Sequence, residues 1–279
     1  MEIKDLSGLG SYAPIIHELY KDMAQPAARN VGLALGAITS VGLFLHLLTS
    51  WGTDRLNICL KNNLEKYADR MKAVPLENVT EAPPEIAIPI IEKLSYVTNE
   101  DLRNLYIELL AKASINDLNS TAHPSFVNII NSLSPDEAII LRDLHNTKKK
   151  SIPCIEVRLL DSNKNSSSRM TPYYTKYDND LELTYSENAS AYISNLIGLG
   201  ILQSSDMVLK KIKDYNKLEK IVNKEYDLAK NKLNDEELEY SSKYRKLILT
   251  KMQVFITPFG ELFLEAILSS KIDINDSVN

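Results

Sequence analysis

Between Asn30 and Thr53 the chain carries no charged side chain. Val31 to Thr49 is dominated by Leu, Ile, Val, Phe, Gly and Ala, whereas a helix lying on the surface of a soluble domain needs a charged face. At about 100° per residue, Val31, Leu35, Ile38, Val41, Leu45 and Leu48 share one face, with Gly32, Gly36, Thr39, Ser40, His46 and Ser50 opposite. Both faces lack charge, so the segment is either buried on most sides or in contact with lipid. Roughly 20 apolar residues cross the hydrocarbon of a bilayer, and Val31 to Trp51 has that length. Gly32 and Gly36, four residues apart, admit a second helix at close range in either setting. His46 reads as a helix-packing residue and Trp51 as packing at a helix end, with membrane contact the alternative for both.

The rest of the composition narrows the class of protein but not its function. Forty-four per cent hydrophobic residues in 279 supply a real core, and 25% charged residues exclude a low-complexity chain. Lys and Arg total 32 against 37 Asp and Glu, a formal charge of −5, so the whole-molecule field attracts neither nucleic acid nor an anionic membrane. Binding of that kind needs a local patch. Cys59 and Cys154 are far apart and suit a reducing compartment better than a disulfide framework. Met1 to Lys21 shows no secretory pattern, so the expected location is the cytoplasm, with membrane association if 31–51 contacts lipid.

Through the first half, apolar residues recur at helical spacing. Pro14 to Ala24 predicts a short helix, and Leu56, Cys59, Leu60, Leu64, Tyr67 and Met71 predict a half-buried one. Pro84 suits the first turn of the next, which Pro89 should kink or delay. Thr98, with Asp101 three residues on, predicts a capped start for a helix bearing Leu102, Leu105, Tyr106, Leu109 and Leu110. His123-Pro124 opens a short helix, His123 serving as a boundary residue, and Ser134-Pro135-Asp136-Glu137 opens another through about His145.

Several motifs in a fixed order now carry a resemblance. Asp101-Leu102-Arg103-Asn104-Leu105-Tyr106, Leu109-Leu110-Ala111, His123-Pro124-Ser125-Phe126-Val127 and Leu133-Ser134-Pro135-Asp136 resemble the core signature of the Abi-alpha (abortive infection alpha) family. Gln25-Pro26-Ala27 leading to Gly32, Asn195-Leu196 to Leu199-Gly200, and Thr257-Pro258-Phe259-Gly260 extend it over roughly Tyr20 to Ile267. The resemblance implies a bacterial phage-defence protein, acting where an infected cell stops growing or dies before the phage completes its cycle. It implies no active site.

The second half adds strands. Ile152 to Leu160 predicts a strand that Pro153 should confine to a sheet edge, and Asp161 to Asp180 reads as a loop. Ser186 is expected to cap a helix ending at Gly198 or Gly200. Ile201-Leu202 and Gln253 to Ile256 predict two short strands, and Thr257-Pro258 a final helix. That order resembles a winged-helix module. The expected fold class is mainly α with a small β component: a helical domain over 1–133 with the apolar helix at 30–53, then a winged-helix-like domain over 134–279 with a charged helical insertion at about 206–250. Such modules often read DNA with a helix, yet Ser186 to Gly200 holds Glu187 and no Lys or Arg.

Leu209, Ile212, Tyr215, Leu218, Val222, Tyr226, Ala229 and Leu233 predict an amphipathic helix within a lysine-rich segment. Lys210, Lys211, Lys213, Lys217, Lys220 and Lys224 are candidate contacts for an acidic partner, a solvated face being the plainer reading. Its acidic continuation, Asp235 to Glu239, is expected to pair with them. There is no phosphate-binding loop, dinucleotide fingerprint, G-x-S-x-G elbow or H-E-x-x-H. The expectation is therefore a non-enzymatic defence protein with no catalytic residue, metal, cofactor or small-molecule substrate, working through a protein partner or self-association. The alternatives are a membrane-perturbing effector inserting 31–51 and a nucleic-acid-binding regulator using the C-terminal half.

Overall fold

The structure, a computed structural model, describes residues 25–36, 54–147, 150–161, 166–178, 181–208, 212–230 and 244–268. The predicted helix at Pro14 to Ala24, His46, Trp51, Lys210, Lys211 and the acidic run at Asp235 lie outside them. The chain divides into two compact units, the first formed by residues up to Pro135 and from Leu262, the second by Asp136–Glu261. It is mainly α with a small β part, as its periodicity predicts.

The first unit is helical. It contains α1 (Gln25–Ala34), α2 (Asp54–Met71), α3 (Pro84–Leu94), α4 (Glu100–Ala113) and α5 (Ser125–Asn131). The apolar stripe of α2 is buried through Leu60, Leu64, Tyr67, Ala68 and Met71, and that of α3 through Ile86, Ala87, Ile90, Ile91 and Leu94. Proline at the first position of α3 sacrifices only an N–H that has no helical acceptor. The helix runs through Pro89, which does not delay its start. The cap of α4 is Asn99 rather than Thr98: its Oδ1 accepts the amide of Leu102 at 3.1 Å. At α5, the Nδ1 of His123 accepts the Ser125 amide at 3.1 Å, which makes this histidine a helix-start residue.

Two buried asparagines tie these helices together. Asn30 Nδ2 donates to the carbonyls of Met71 and Val74, at 3.0 and 2.8 Å. Asn63 Nδ2 does the same for Leu94 and Val97, at 2.7 and 3.3 Å. Each thereby adds a side-chain donor to one carbonyl at a helix end and one just beyond it. Tyr67 and Ser114 share a 2.7 Å hydrogen bond in the core, and burial raises the phenol's pKa.

Of the uncharged stretch, the described part is 30–36. Asn30, Val31, Ala34 and Leu35 are buried, Gly32 and Gly36 half-buried, and Leu33 exposed. A Cβ on Gly36 would meet the Glu81 carboxylate at 3.6 Å, ordinary contact rather than a tight crossing. Among the described residues no helix is long and apolar enough to cross a membrane.

The second unit contains α6 (Pro135–Asn146), β1 (Ser151–Asp161), β2 (Ser166–Thr175), α7 (Ala189–Gly198), β3 (Leu202–Ser205), α8 (Ile212–Lys230) and β4 (Tyr244–Ile256). The last helix, α9 (Pro258–Leu268), begins in this unit, and its later residues belong to the first, where Phe263 meets Phe126 edge-on at 5.1 Å. The strands are antiparallel in the order β2-β1-β4-β3. Alternation sends Ile155 and Val157 of β1 into a core with Tyr174 of β2 and Tyr215, Leu218 and Val222 of α8.

Three expectations change here. β1 is a central strand, because Pro153 precedes the β2 pairing, which starts at Cys154, and at Pro153 only β4 lies alongside. The segment read as a loop from Asp161 contains β2, a strand set by pairing with β1 and not by its own serine-rich pattern. Ser186 begins a short 3-10 turn, Ser186–Asn188, and α7 starts only at Ala189.

Candidate functional site

The second unit carries two surface features and several internal charge clusters. The first surface feature is one face of α8. The helix buries Tyr215, Leu218 and Val222 and exposes Lys217, Lys220 and Lys224. At about 100° per residue these lysines form a narrow stripe opposite the buried face. Lys217–Lys220 and Lys220–Lys224 are like-charge neighbours at i, i+3 and i, i+4, an arrangement that by itself destabilises a helix by about 0.2–0.5 kcal/mol per pair. Two acids of the same helix are directed elsewhere. Glu219 pairs with Lys251 of β4 at 3.1 Å, and Glu225 accepts the Tyr174 hydroxyl at 3.1 Å. Exposed Asp214 and Asp227 flank the stripe.

The second feature is an open groove of about 760 Å³. Met170, Thr171, Pro172 and Tyr174 of β2 line one side, Ser190, Ala191 and Ser194 of α7 another, with Glu187 and Glu225 the only charged lining residues among those described. Tyr173 holds α7 against the strand by donating its amide to Ser190 Oγ at 3.2 Å.

The internal clusters satisfy their own charges. Asp136 accepts the amides of Thr184 and Tyr185 at 2.8 and 2.9 Å and the Tyr192 hydroxyl at 3.0 Å. Burial opposes its ionisation, but these donors outweigh burial and hold the carboxyl below the usual range. Glu156, also buried, is held low against burial by Arg158 and Arg169, with Nε to carboxylate distances of 2.8 and 2.6 Å. Burial and the Glu156 charge push the Cys154 thiol up to about 12, so it is a packing group and not a nucleophile. Asp143 accepts Lys176 Nζ at 2.8 Å and Tyr177 Oη at 3.0 Å. In the first unit, Lys112 is buried and donates to the Glu265 carbonyl, and burial lowers its pKa. No group of three or more His, Cys, Asp or Glu is placed to hold a metal among the described residues.

Two motifs that carried the resemblance meet in one joint. Thr257 Oγ1 donates to the Gly200 carbonyl at 2.6 Å and accepts the Gly260 amide at 2.9 Å, capping α9. Gly200 sits at φ 76°. The glycine, threonine and second glycine are therefore positions of backbone geometry.

Of the residues singled out in the sequence, Lys217, Lys220 and Lys224 are brought together on α8. Gly32 and Gly36 lie in the other unit, which α1 opens. The groove has no local sequence signal, because its residues come from β2, the turn before α7, α7 itself and α8.

These features define a two-unit, mainly helical protein whose second unit packs helices on a four-stranded antiparallel sheet. The chain belongs to the abortive infection alpha family, whose model matches residues 59–267. The match begins beyond Gln25-Pro26-Ala27 and Gly32, so the family assignment rests on the later motifs. No curated protein matches the chain. It is also similar to a solved structure of an uncharacterized protein from the hydrocarbon-degrading marine bacterium Alcanivorax borkumensis SK2, at 15% identity and a TM-score of 0.35, over 55% of this chain and 96% of that one.

Proposed function

We propose that the chain is an abortive-infection phage-defence protein that acts without catalysis, by engaging an acidic macromolecular partner, most simply a protein, through the lysine stripe of α8. Family membership supplies the defence context. The observation that carries the interaction is the stripe itself. Lys217, Lys220 and Lys224 stand exposed on one face of α8 while Glu219 and Glu225 of the same helix bond to the sheet. A helix selected only for stability would alternate signs along such a face. Reading this unit as a winged-helix-like interaction module rests on α7, the Gly200 turn and the β3–β4 pair; the β1–β2 hairpin is additional to that pattern.

Infection at low and high phage-to-cell ratios tests the defence reading. Cells expressing the chain should survive as a culture when few are infected and collapse without phage release when nearly all are. Survival of individually infected cells at the high ratio would mean that protection works by another route.

A further inference from the structure

We propose that the groove beside β2 binds an extended segment of a partner protein that carries lysine or arginine side chains. This surface is separate from the lysine stripe, and failure of one leaves the other standing.

The groove's volume, about 760 Å³, falls within the range of about 300–1,000 Å³ typical of ligand-binding clefts. Its floor is an edge strand, since β2 ends the strand order. Main-chain groups on alternate residues of an edge strand point away from the sheet and can pair with an added strand. Part of the edge is already blocked. Pro172 has no N–H, and the Tyr173 amide is bonded to Ser190, which leaves Ser167 to Thr171 as the stretch for pairing, with Met170 and Thr171 of it lining the groove.

Charge selects the occupant. Among the described residues, Glu187 and Glu225, both exposed, are the only ionised groups lining the groove. Arg169 on the same strand does not line the groove; it shares the Glu156 carboxylate, at 2.6 Å, with Arg158. The Tyr174 hydroxyl fixes Glu225 at the groove wall. An anionic segment would meet two carboxylates there and no cation among the described lining residues, whereas lysine or arginine would meet both as acceptors, with the hydroxyls of Thr171, Ser186 and Ser190 available to polar side chains.

The test uses the full chain and two fluorescein-labelled peptides, one alternating threonine and lysine, the other threonine and glutamate, read by fluorescence anisotropy. The lysine peptide should bind saturably, weaken about tenfold in the double variant E187Q/E225Q, and be lost in A191W, which fills the groove from an exposed helix position. Circular dichroism and melting temperature check that each variant is folded; if A191W is not, the glutamine pair decides. Equal binding of the glutamate peptide, no saturable binding of the lysine peptide, or unchanged affinity in folded E187Q/E225Q would overturn the proposal.

Discussion

The side chain of Asn63 on α2 donates to the main-chain carbonyl of Leu94 at 2.7 Å, closing the C-terminal end of α3 from outside. Asn63 is buried, and so is Leu94. Replacing Asn63 with leucine removes the amide donor and leaves the Leu94 carbonyl with the long Cys59 Sγ contact at 3.8 Å, at a cost of about 1–3 kcal/mol. Urea denaturation should show the midpoint falling with an unchanged slope. An unchanged midpoint would mean that water replaces the donor and that the helix end is more open than described.

Gly200 and Gly260 are both glycines of the joint at Thr257, yet they should respond differently to alanine. A Cβ at Gly260 would run into the backbone carbonyl of Ile201 and stand 3.0 Å from Ile256 Cγ2, so the chain itself must move. We expect Gly260→Ala to cost about 3 kcal/mol, at the upper end of overpacking effects. At Gly200 the nearest atom to an added Cβ is Phe259 Cδ1 at 3.9 Å, and only the left-handed φ of 76° resists substitution. Gly200→Ala should cost about 1–2 kcal/mol. Thermal unfolding of both variants checks the order, and a reversed order would contradict the described packing of the joint.

Asp136 makes stability depend on acid. Its folded-state pKa lies below the unfolded value of about 3.9. Its contribution is therefore complete above about pH 5, starts to fall as pH approaches the unfolded value, and is lost as pH falls through the lower, folded-state value. Glu156 acts in the same direction. Asp136→Asn keeps one acceptor oxygen and should lower stability by about 1.5–3 kcal/mol at neutral pH. It should also flatten the decline seen in melting temperatures between about pH 5 and about pH 2. A variant that declines as steeply as the parent would place the acid sensitivity in other groups.

How much of this was legible in the sequence depends on whether the determinant was local. Pro135 at the first position of α6 and Thr257-Pro258 at the start of α9 were readable because capping and proline geometry act within one turn. The Thr98 cap missed by one residue, since Asn99 offers the same kind of side-chain oxygen. β2 was illegible for a different reason: Ser166, Ser167 and Ser168 carry no apolar alternation, and their strand state comes from pairing with Leu160 and its neighbours on β1. The groove is further from sequence still, because Glu187 and Glu225 join one wall system only after α7 and α8 have packed on the sheet. The lysine stripe was visible as charge. What the fold adds is that Glu219 and Glu225 are occupied elsewhere.

That stripe is where the account is most exposed. Phage plating efficiency should be compared on cells carrying the parent chain, the charge-reversed K217E/K220E/K224E and the charge-preserving K217R/K220R/K224R, at matched protein levels. The account predicts that reversal restores plaques to the level of cells lacking the protein, while the arginine form protects as the parent does. Full protection by the charge-reversed form at equal abundance would contradict it.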